Sequence, residues 1–420
     1  MKKGKTKAFW GTAVLTAAGL LALAGCSSSS SGTSNPKNGT ITIWAAFSGP
    51  DLKNYQSTID NYNKTNPSYK VKVVAMKADT LKSKLTTAGK SGEGLPDMAE
   101  LASEQLPYYK DLGLLDNWDS MIKDSNLKES NYVPAAWKIG TLSGKQYGIP
   151  DKMDTWTMYY NKTLVNKYAP HALDDGIVTY KEVEEAGAAA KGDGIYATSN
   201  DWGSQNFMNL YLQMGGTWRN SSGKFNIDNA TAQKAWGEWQ SLYNDGYVVP
   251  NGQDATKAFM NGKVIFNPEG TWMLNQYQGI TGFDWGETLT LQWDTNNVIQ
   301  CSGAGQYAIF KEKSARSENL QKGMVAFLSW LQSNQLKIVQ SGANPTSLAM
   351  LNNADYKKLP QSFLLSDSKA QKALKINTDA GISPFMTTFD AKNWDMLTGK
   401  ASIPDTFNQI QQTVDAQMGN

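Results

Sequence analysis

Few side chains in this chain could carry covalent or metal chemistry, and most of their spacings fail. There is one histidine, His171, in Tyr-Ala-Pro-His-Ala-Leu, and there are two cysteines, Cys26 and Cys301. So small a set cannot assemble a zinc cluster, and a histidine-dependent triad would rest on a single residue in a proline-containing loop. Gly303-Ala-Gly305-Gln-Tyr-Ala308 matches a loose dinucleotide fingerprint, but Ile309-Phe310-Lys311 prolongs a strand where that motif must open a helix. Asp175-Gly176 with Glu182 has the glycine-to-glutamate spacing of a calcium loop. Its first and third ligand positions fall on His171 and Leu173, and leucine cannot coordinate calcium. The 38 acidic residues offer many pairs to a glycosidase and single out none. No catalytic group, metal or cofactor is expected.

The aromatic residues point elsewhere: 14 Trp, 18 Tyr and 13 Phe, several of them where strands end rather than on apolar helical faces. Trp44, followed by Phe47 and Ser48, leaves the first strand before a Gly-Pro turn. Ser103, Glu104 and Gln105 follow the apolar run 98–102, and Asp154 and Trp156 follow Gly148-Ile-Pro150. Asp201-Trp202-Gly203-Ser204-Gln205 reads as an exposed polar loop around one indole, and Glu269-Gly270-Thr271-Trp272 ends the run 264–266. Ligands of open α/β sheets bind at the carboxyl ends of strands. A pyranose offers an apolar C–H face to Trp or Tyr, and its hydroxyl rim needs Asp, Glu, Asn and Gln. A neutral carbohydrate therefore suits these residues. Trp236, Trp239 and Trp330 fall on helical faces and read as core; Trp394, in Asp390-Ala-Lys-Asn-Trp-Asp395, fits either role.

The elements that must position these residues alternate. Residues 40–45 place Ile41 and Ile43 on one face of a strand, Gly49-Pro50-Asp51 opens an amphipathic helix to about Lys64, and residues 69–76 alternate again. Strand, helix, strand over so few residues is a βαβ unit with parallel strands. Gly94-Leu95-Pro96-Asp97 leads a third strand. Residues 144–150 read as a hairpin-like turn and 155–161 as a strand. Thr179 and Glu182 form a capping box for a helix to about Ala190. Ala232, Ala235, Trp236, Trp239, Leu242 and Tyr243 share a face capped by Asp228 or Asn229, Leu320, Met324, Phe327, Leu328 and Leu331 share another, and residues 403–418 form a polar amphipathic helix. At 420 residues, the chain is too long for one simple domain.

Charge excludes some partners. Lys2, Lys3, Lys5 and Lys7 precede an uncharged apolar run over 8–24, the layout of an export leader; without it, 36 basic residues face 38 acidic ones. Two arginines, Arg219 and Arg316, in a near-neutral chain provide no field for nucleic acid. They argue equally against an anionic ligand. Leu23-Ala24-Gly25-Cys26 resembles the lipobox of bacterial lipoproteins. That resemblance implies a leader over 1–25 cut before a lipidated Cys26, followed by a flexible polar tether over 26–39. With Cys26 lipidated, Cys301 has no intramolecular disulfide partner.

Taken in order, further stretches resemble the family 1 extracellular solute-binding proteins, the maltose-binding-like lipoproteins of bacterial ABC importers. They are Ile41-Thr-Ile-Trp-Ala-Ala-Phe-Ser48, Leu95-Pro-Asp97 with Glu100, Tyr147-Gly-Ile-Pro150 and Met158-Tyr-Tyr-Asn-Lys162. Ala258-Phe-Met-Asn-Gly-Lys-Val-Ile-Phe-Asn-Pro-Glu-Gly-Thr-Trp272 is the most specific, and Phe327-Leu-Ser-Trp-Leu331, Ser341-Gly-Ala-Asn-Pro345 and Leu397-Thr-Gly-Lys400 complete the pattern. The resemblance implies an α/β, two-lobe, type II periplasmic-binding-protein-like fold with mixed, mainly parallel sheets and a ligand cleft between the lobes. The lobes would comprise 40–150 plus about 300–346, and about 151–299 plus 347–420. It implies cleft positions at Trp44, Ser48, Asp51, Ser103, Glu104, Asp154, the 202–206 loop with Gln205 and Asn206, and Trp272. Trp156 and Glu269 join them from the residue pattern. In the last cleft loop, where maltose binders carry an aromatic pair, this chain has Phe385-Met386, Phe389 and, further on, Trp394.

The expectation is a monomeric, non-enzymatic receptor for an oligosaccharide, lipid-anchored outside the cytoplasmic membrane and docking on ABC permease subunits. The alternatives are a receptor for a glycerol-phosphate-type or other small solute and, ranked below it, a surface glycosidase.

Overall fold

The computed structural model describes residues 37–47 and 49–419. The expected leader, Cys26, all but the last three residues of the tether, and Ser48 lie outside the described residues.

Seven strands position the site: β1 (Gly39–Ala45), β2 (Tyr69–Ala75), β3 (Met98–Leu101), β4 (Gly148–Asn161), β5 (Phe266–Gly270), β6 (Trp285–Leu289) and β7 (Gln300–Phe310). β1 lies parallel to β2 and to β3, as βαβ connections require, with Ile43 opposite Met98. Then β7 runs antiparallel to β3 and to β4. Alternation in β1 sends Ile41, Ile43 and Ala45 into the core.

β4 decides the architecture. Its first half pairs with β7, from Gly148 opposite Ala308 to Thr155 opposite Ser302, while residues 156–160 pair with β5 and 157–161 with β6. One 14-residue strand thus enters two packing environments, and a near-continuous run of buried positions marks it. Around its first half lies an apolar core with Ile41, Tyr55, Met98, Trp118, Tyr307 and Phe327. Around its second half lies another, with Phe207, Trp236, Trp239, Phe385, Phe389 and Phe407. The result is an α/β protein of two lobes. Met350 and Tyr356 pack on Val339, whereas Leu374 and Ile376 pack on Met153 and Ala304, where the strands cross.

Nine helices matter here: α1 (Gly49–Lys64), α2 (Ala78–Ser91), α3 (Gln105–Asp111), α4 (Tyr180–Ala190), α5 (Gly203–Gln213), α6 (Ala230–Asn244), α7 (Glu318–Leu331), α8 (Ile382–Asp390) and α9 (Ile403–Met418). The capping box at α4 is complete: the Thr179 backbone N–H donates to Glu182 at 2.8 Å, and Glu182 N–H donates to Thr179 Oγ1 at 3.3 Å. Asn229, not Asp228, caps α6. Among the described residues no helix is long and apolar enough to cross a membrane.

Three expectations change. The sheet is mixed but not mainly parallel: of the seven strands only β1–β2 and β1–β3 pair in parallel, because β7 and β4 cross between the lobes and pair antiparallel with β3, with each other and with β5 and β6. The 201–205 segment is not a loop throughout. α5 begins at Gly203 and Trp202 sits at its N-cap, because Phe207, Leu210 and Tyr211 give the following residues a buried helical face. The turn near 144 is tighter than the sequence suggests: Ser143 and Gly144, at φ of 50° and 76°, join two-residue strands. Gly148-Ile149-Pro150 already belongs to β4, because their neighbours on β7 supply ladder partners.

Candidate functional site

The carboxyl ends of β1 and β3 open into a cavity of about 570 Å3 between the lobes. One wall comes from the first lobe: Phe47 after β1, Asp51 in the first turn of α1, Glu100 in β3, and Ser103 and Glu104 before α3. The floor is the strand crossing, with Lys152, Asp154 and Trp156 of β4 beside residues 302–305 of β7. The facing wall comes from the second lobe: Trp202, Gln205, Trp272, Asn275, Gln276, Ile382 and Met386. Carboxylates thus stand on one side and on the floor, with indoles opposite.

Two glycines make the floor possible. A methyl group on Gly303 would come within 2.8 Å of Ser103 Oγ, and one on Gly305 would overlap the Glu100 carboxyl. The register of β7 against β4 shifts between Ala304 and Gln306, around Gly305. The pair that imitates a nucleotide motif therefore lets cleft side chains lie on a strand backbone.

Lys152 Nζ lies 2.5 Å from Asp154 Oδ2 and 3.6 Å from Asp51 Oδ2, joining the crossing strand to α1. Burial disfavours its charge, but Asp154 and Asp51 outweigh burial and hold the ammonium above the ordinary lysine range. Burial raises Asp154 despite the lysine, and burial followed by the Asp151 charge raises Glu100. Asp151, behind the floor, is fully buried and neither carboxyl oxygen has a hydrogen-bond partner among the described residues; burial raises it too. Glu104, beside Ser103 Oγ at 3.4 Å, is also raised by burial. The cavity therefore offers carboxyl acceptors and one cation already engaged.

The indoles form a group. Trp202 and Trp272 have ring centroids 5.4 Å apart and planes at 74°. Trp156 contacts both, at 6.4 and 5.8 Å. Trp202 is 42% exposed and Trp156 only 2%, so Trp156 is a brace and the other two present surface. Glu269 lies behind Trp202, and its carboxyl is raised well above the usual range by burial and then by Asp201.

Of the residues expected from sequence, Asp51, Ser103, Glu104, Asp154, Trp156, Trp202, Gln205 and Trp272 line this one cavity. Others are elsewhere. Trp44 alternates away from the buried isoleucines of β1 and packs on the Leu81–Phe310 side of the sheet, with Lys84 Nζ 5.8 Å from its ring. Asn206, one helical step beyond Gln205, turns inward and donates to Asn200 Oδ1 at 2.9 Å. Glu269 is buried rather than lining. Phe389 is fully buried against Trp236 and Phe207, at 4.8 and 4.9 Å. Trp394 packs on Tyr243, 6.1 Å away. In α8 the cavity face is Ile382 and Met386, four residues apart, while Phe385 and Phe389 share the core face.

Sequence reasoning missed Glu100, Lys152, Asn275 and Gln276 as lining residues, and it named Met386 in the last cleft loop without choosing it over Phe389 or Trp394. The Gly303-x-Gly305 pair was the available signal for Glu100, since small residues in a strand mark a close approach. No group of three or more His, Cys, Asp or Glu among the described residues could hold a metal ion.

Residues 57–396 match the family model described as bacterial extracellular solute-binding protein. An arabinooligosaccharide-binding protein of Bacillus subtilis (strain 168) is 26% identical over 241 residues, 55% of this chain and 53% of its own; the chain thus matches about half the length of that relative. A galactooligosaccharide-binding protein of the same strain is 22% identical over 421 residues, 96% of each chain. An ABC substrate-binding protein of Listeria monocytogenes, solved in complex with cycloalternan, shares the fold with a TM-score of 0.76. The two are 19% identical, with 91% of this chain and 99% of that one covered.

Proposed function

The chain belongs to the bacterial extracellular solute-binding proteins, and from that premise we propose that it captures a neutral oligosaccharide of two to four units in the interlobe cavity. It then hands this ligand to the membrane subunits of an ABC importer. The observation that carries the reading is the division of one cavity into a carboxylate wall and an indole wall. A sugar ring between them stacks an apolar face on Trp202 or Trp272 while Asp51, Glu100, Glu104, Asp154 and Gln205 meet its hydroxyls. Binding favours the arrangement in which both walls touch the ligand, and that preference is what a docking partner can sense.

An anionic solute is the weaker reading. Lys152 is the one basic side chain on the cavity lining among the described residues, and it is held by Asp154 and Asp51. A phosphate would meet four carboxyl groups there. The role is binding without turnover. The lobes are assigned as 40–150 plus about 300–346, and about 151–299 plus 347–420. Lipid on Cys26 holds the monomeric receptor at the outer face of the membrane.

A thermal-shift screen tests the ligand class. A neutral oligosaccharide at about 100 times its dissociation constant should add about 2.7 kcal/mol of stability, and glycerol phosphate at the same concentration none. Stabilisation by glycerol phosphate alone would reverse the assignment, and release of shorter sugars during incubation would make the protein an enzyme.

A further inference from the structure

We infer that the cleft selects a curved glycan, one whose neighbouring rings turn out of a common plane, over a flat extended chain. This rests on the oligosaccharide reading above and specifies its ligand. The two indoles that present surface to the cavity stand at 74° to one another, so they form a corner and not a floor. Both are held by their neighbours. Trp156 is wedged against each of them, and a methyl group on Gly270 would overlap the Trp272 indole, so Trp272 lies directly on the β5 backbone. Trp202 sits at the start of α5, whose Ser204 donates from its backbone N–H and hydroxyl to the two Asp390 oxygens at 2.9 and 2.8 Å. The corner angle is thus set by strand and helix, which are more precise supports than loops.

Stacking one sugar on each face requires two ring faces inclined to each other. In β-1,4-linked chains of glucose or mannose both bonds to each ring are equatorial, and successive ring planes lie nearly parallel in a ribbon. Such a chain can lay one ring on one indole and must lift the next away from the other. An α-linkage, or a β-linkage to an axial oxygen as in β-1,4-galactan, bends the chain at each step and can supply the second face. The opposite wall, with Glu100 and Glu104, accepts hydroxyl donors from either kind of chain and does not discriminate between them.

The test is titration calorimetry of the protein with two series of equal length. Maltotriose, isomaltotriose and β-1,4-galactotriose form the curved series; cellotriose and β-1,4-mannotriose form the flat one. At least one curved trisaccharide should bind about tenfold or more tighter than every flat one, the scale of one stacked ring. Trp202→Ala should bring that ratio to within about threefold, since one platform cannot sense an angle. A flat trisaccharide that binds as tightly as the best curved one overturns the inference and leaves the oligosaccharide reading standing. A preference unchanged by Trp202→Ala also overturns it, because the corner is then not its source. No heat from either series removes the oligosaccharide reading and the inference with it.

Discussion

At the scale of the residue, an aromatic side chain has different consequences on the two sides of a helix or strand. Trp202 is 42% exposed at the head of α5, whereas Phe389 is fully buried in α8 and touches Trp236 and Phe207. Truncating Trp202 removes a stacking surface while leaving the core intact. Its affinity loss should be about 1–3 kcal/mol, or roughly five- to 150-fold, measured by calorimetry with the best sugar. Phe389→Ala instead opens a cavity, and should lower unfolding stability by about 3–5 kcal/mol in denaturant titration. Its sugar affinity, measured where it remains folded, should stay within about threefold of the parent. Residue type alone predicted the same part for both rings, and only their surroundings separate them.

At the scale of the element, β4 carries the geometry. It brings Lys152, Asp154 and Trp156 to the floor while β7 supplies the glycines over which Ser103 and Glu100 lie. It is flanked in the second lobe by β6, where Glu287 is sealed beside Tyr159, and neither of its carboxyl oxygens has a hydrogen-bond partner among the described residues. Burial pushes the Glu287 carboxyl up to about 8. A carboxyl raised in the folded state keeps its proton after the unfolded chain has lost its own. The stability tied to that proton is full below the ordinary carboxylate value near 4.5 and is lost as pH rises through about 8. Glu287→Gln should therefore match the parent near pH 4 and exceed it by roughly 2–4 kcal/mol near pH 9. Chemical denaturation at both pH values reads this directly; an equal difference at the two would show that the ionised group is not buried.

At the scale of the molecule, two cores meet at a shared strand. Lys82 of α2 donates to Thr387 of α8 at 3.1 Å, joining the first lobe to the second. An exposed bond of this kind is worth little, so ligand contacts can outweigh it when the walls approach each other. The proposal also gives the molecule an address, because Leu23-Ala24-Gly25-Cys26 stands before a polar tether. Expressed with its leader in a bacterium fed labelled palmitate, the parent chain should carry label and sediment with membranes, and Cys26→Ser should do neither. Two acyl chains hold a protein stably where one is marginal, so membrane retention of the unlabelled variant would place the anchor elsewhere.

Sequence alone determined the alternating α/β order, the parallel start of the sheet and several helix boundaries, and it named eight of the residues that line the cavity. These depend on local periodicity, capping and the rule that parallel strands share an open edge. The capping box at Thr179 and the alternation of Ile41 and Ile43 are legible because both partners lie within a few residues. Which aromatic faces the cavity was not legible. Met386 rather than Phe385 or Phe389 lines it, and Trp44 faces the other side of the sheet, because rotation of a helix or the side of a strand is set by what packs against it. The same is true of Glu100 and Lys152. Burying charged groups is tolerable only where distant segments bring partners within a few ångströms, and tertiary contact alone brings Asp51 to Lys152.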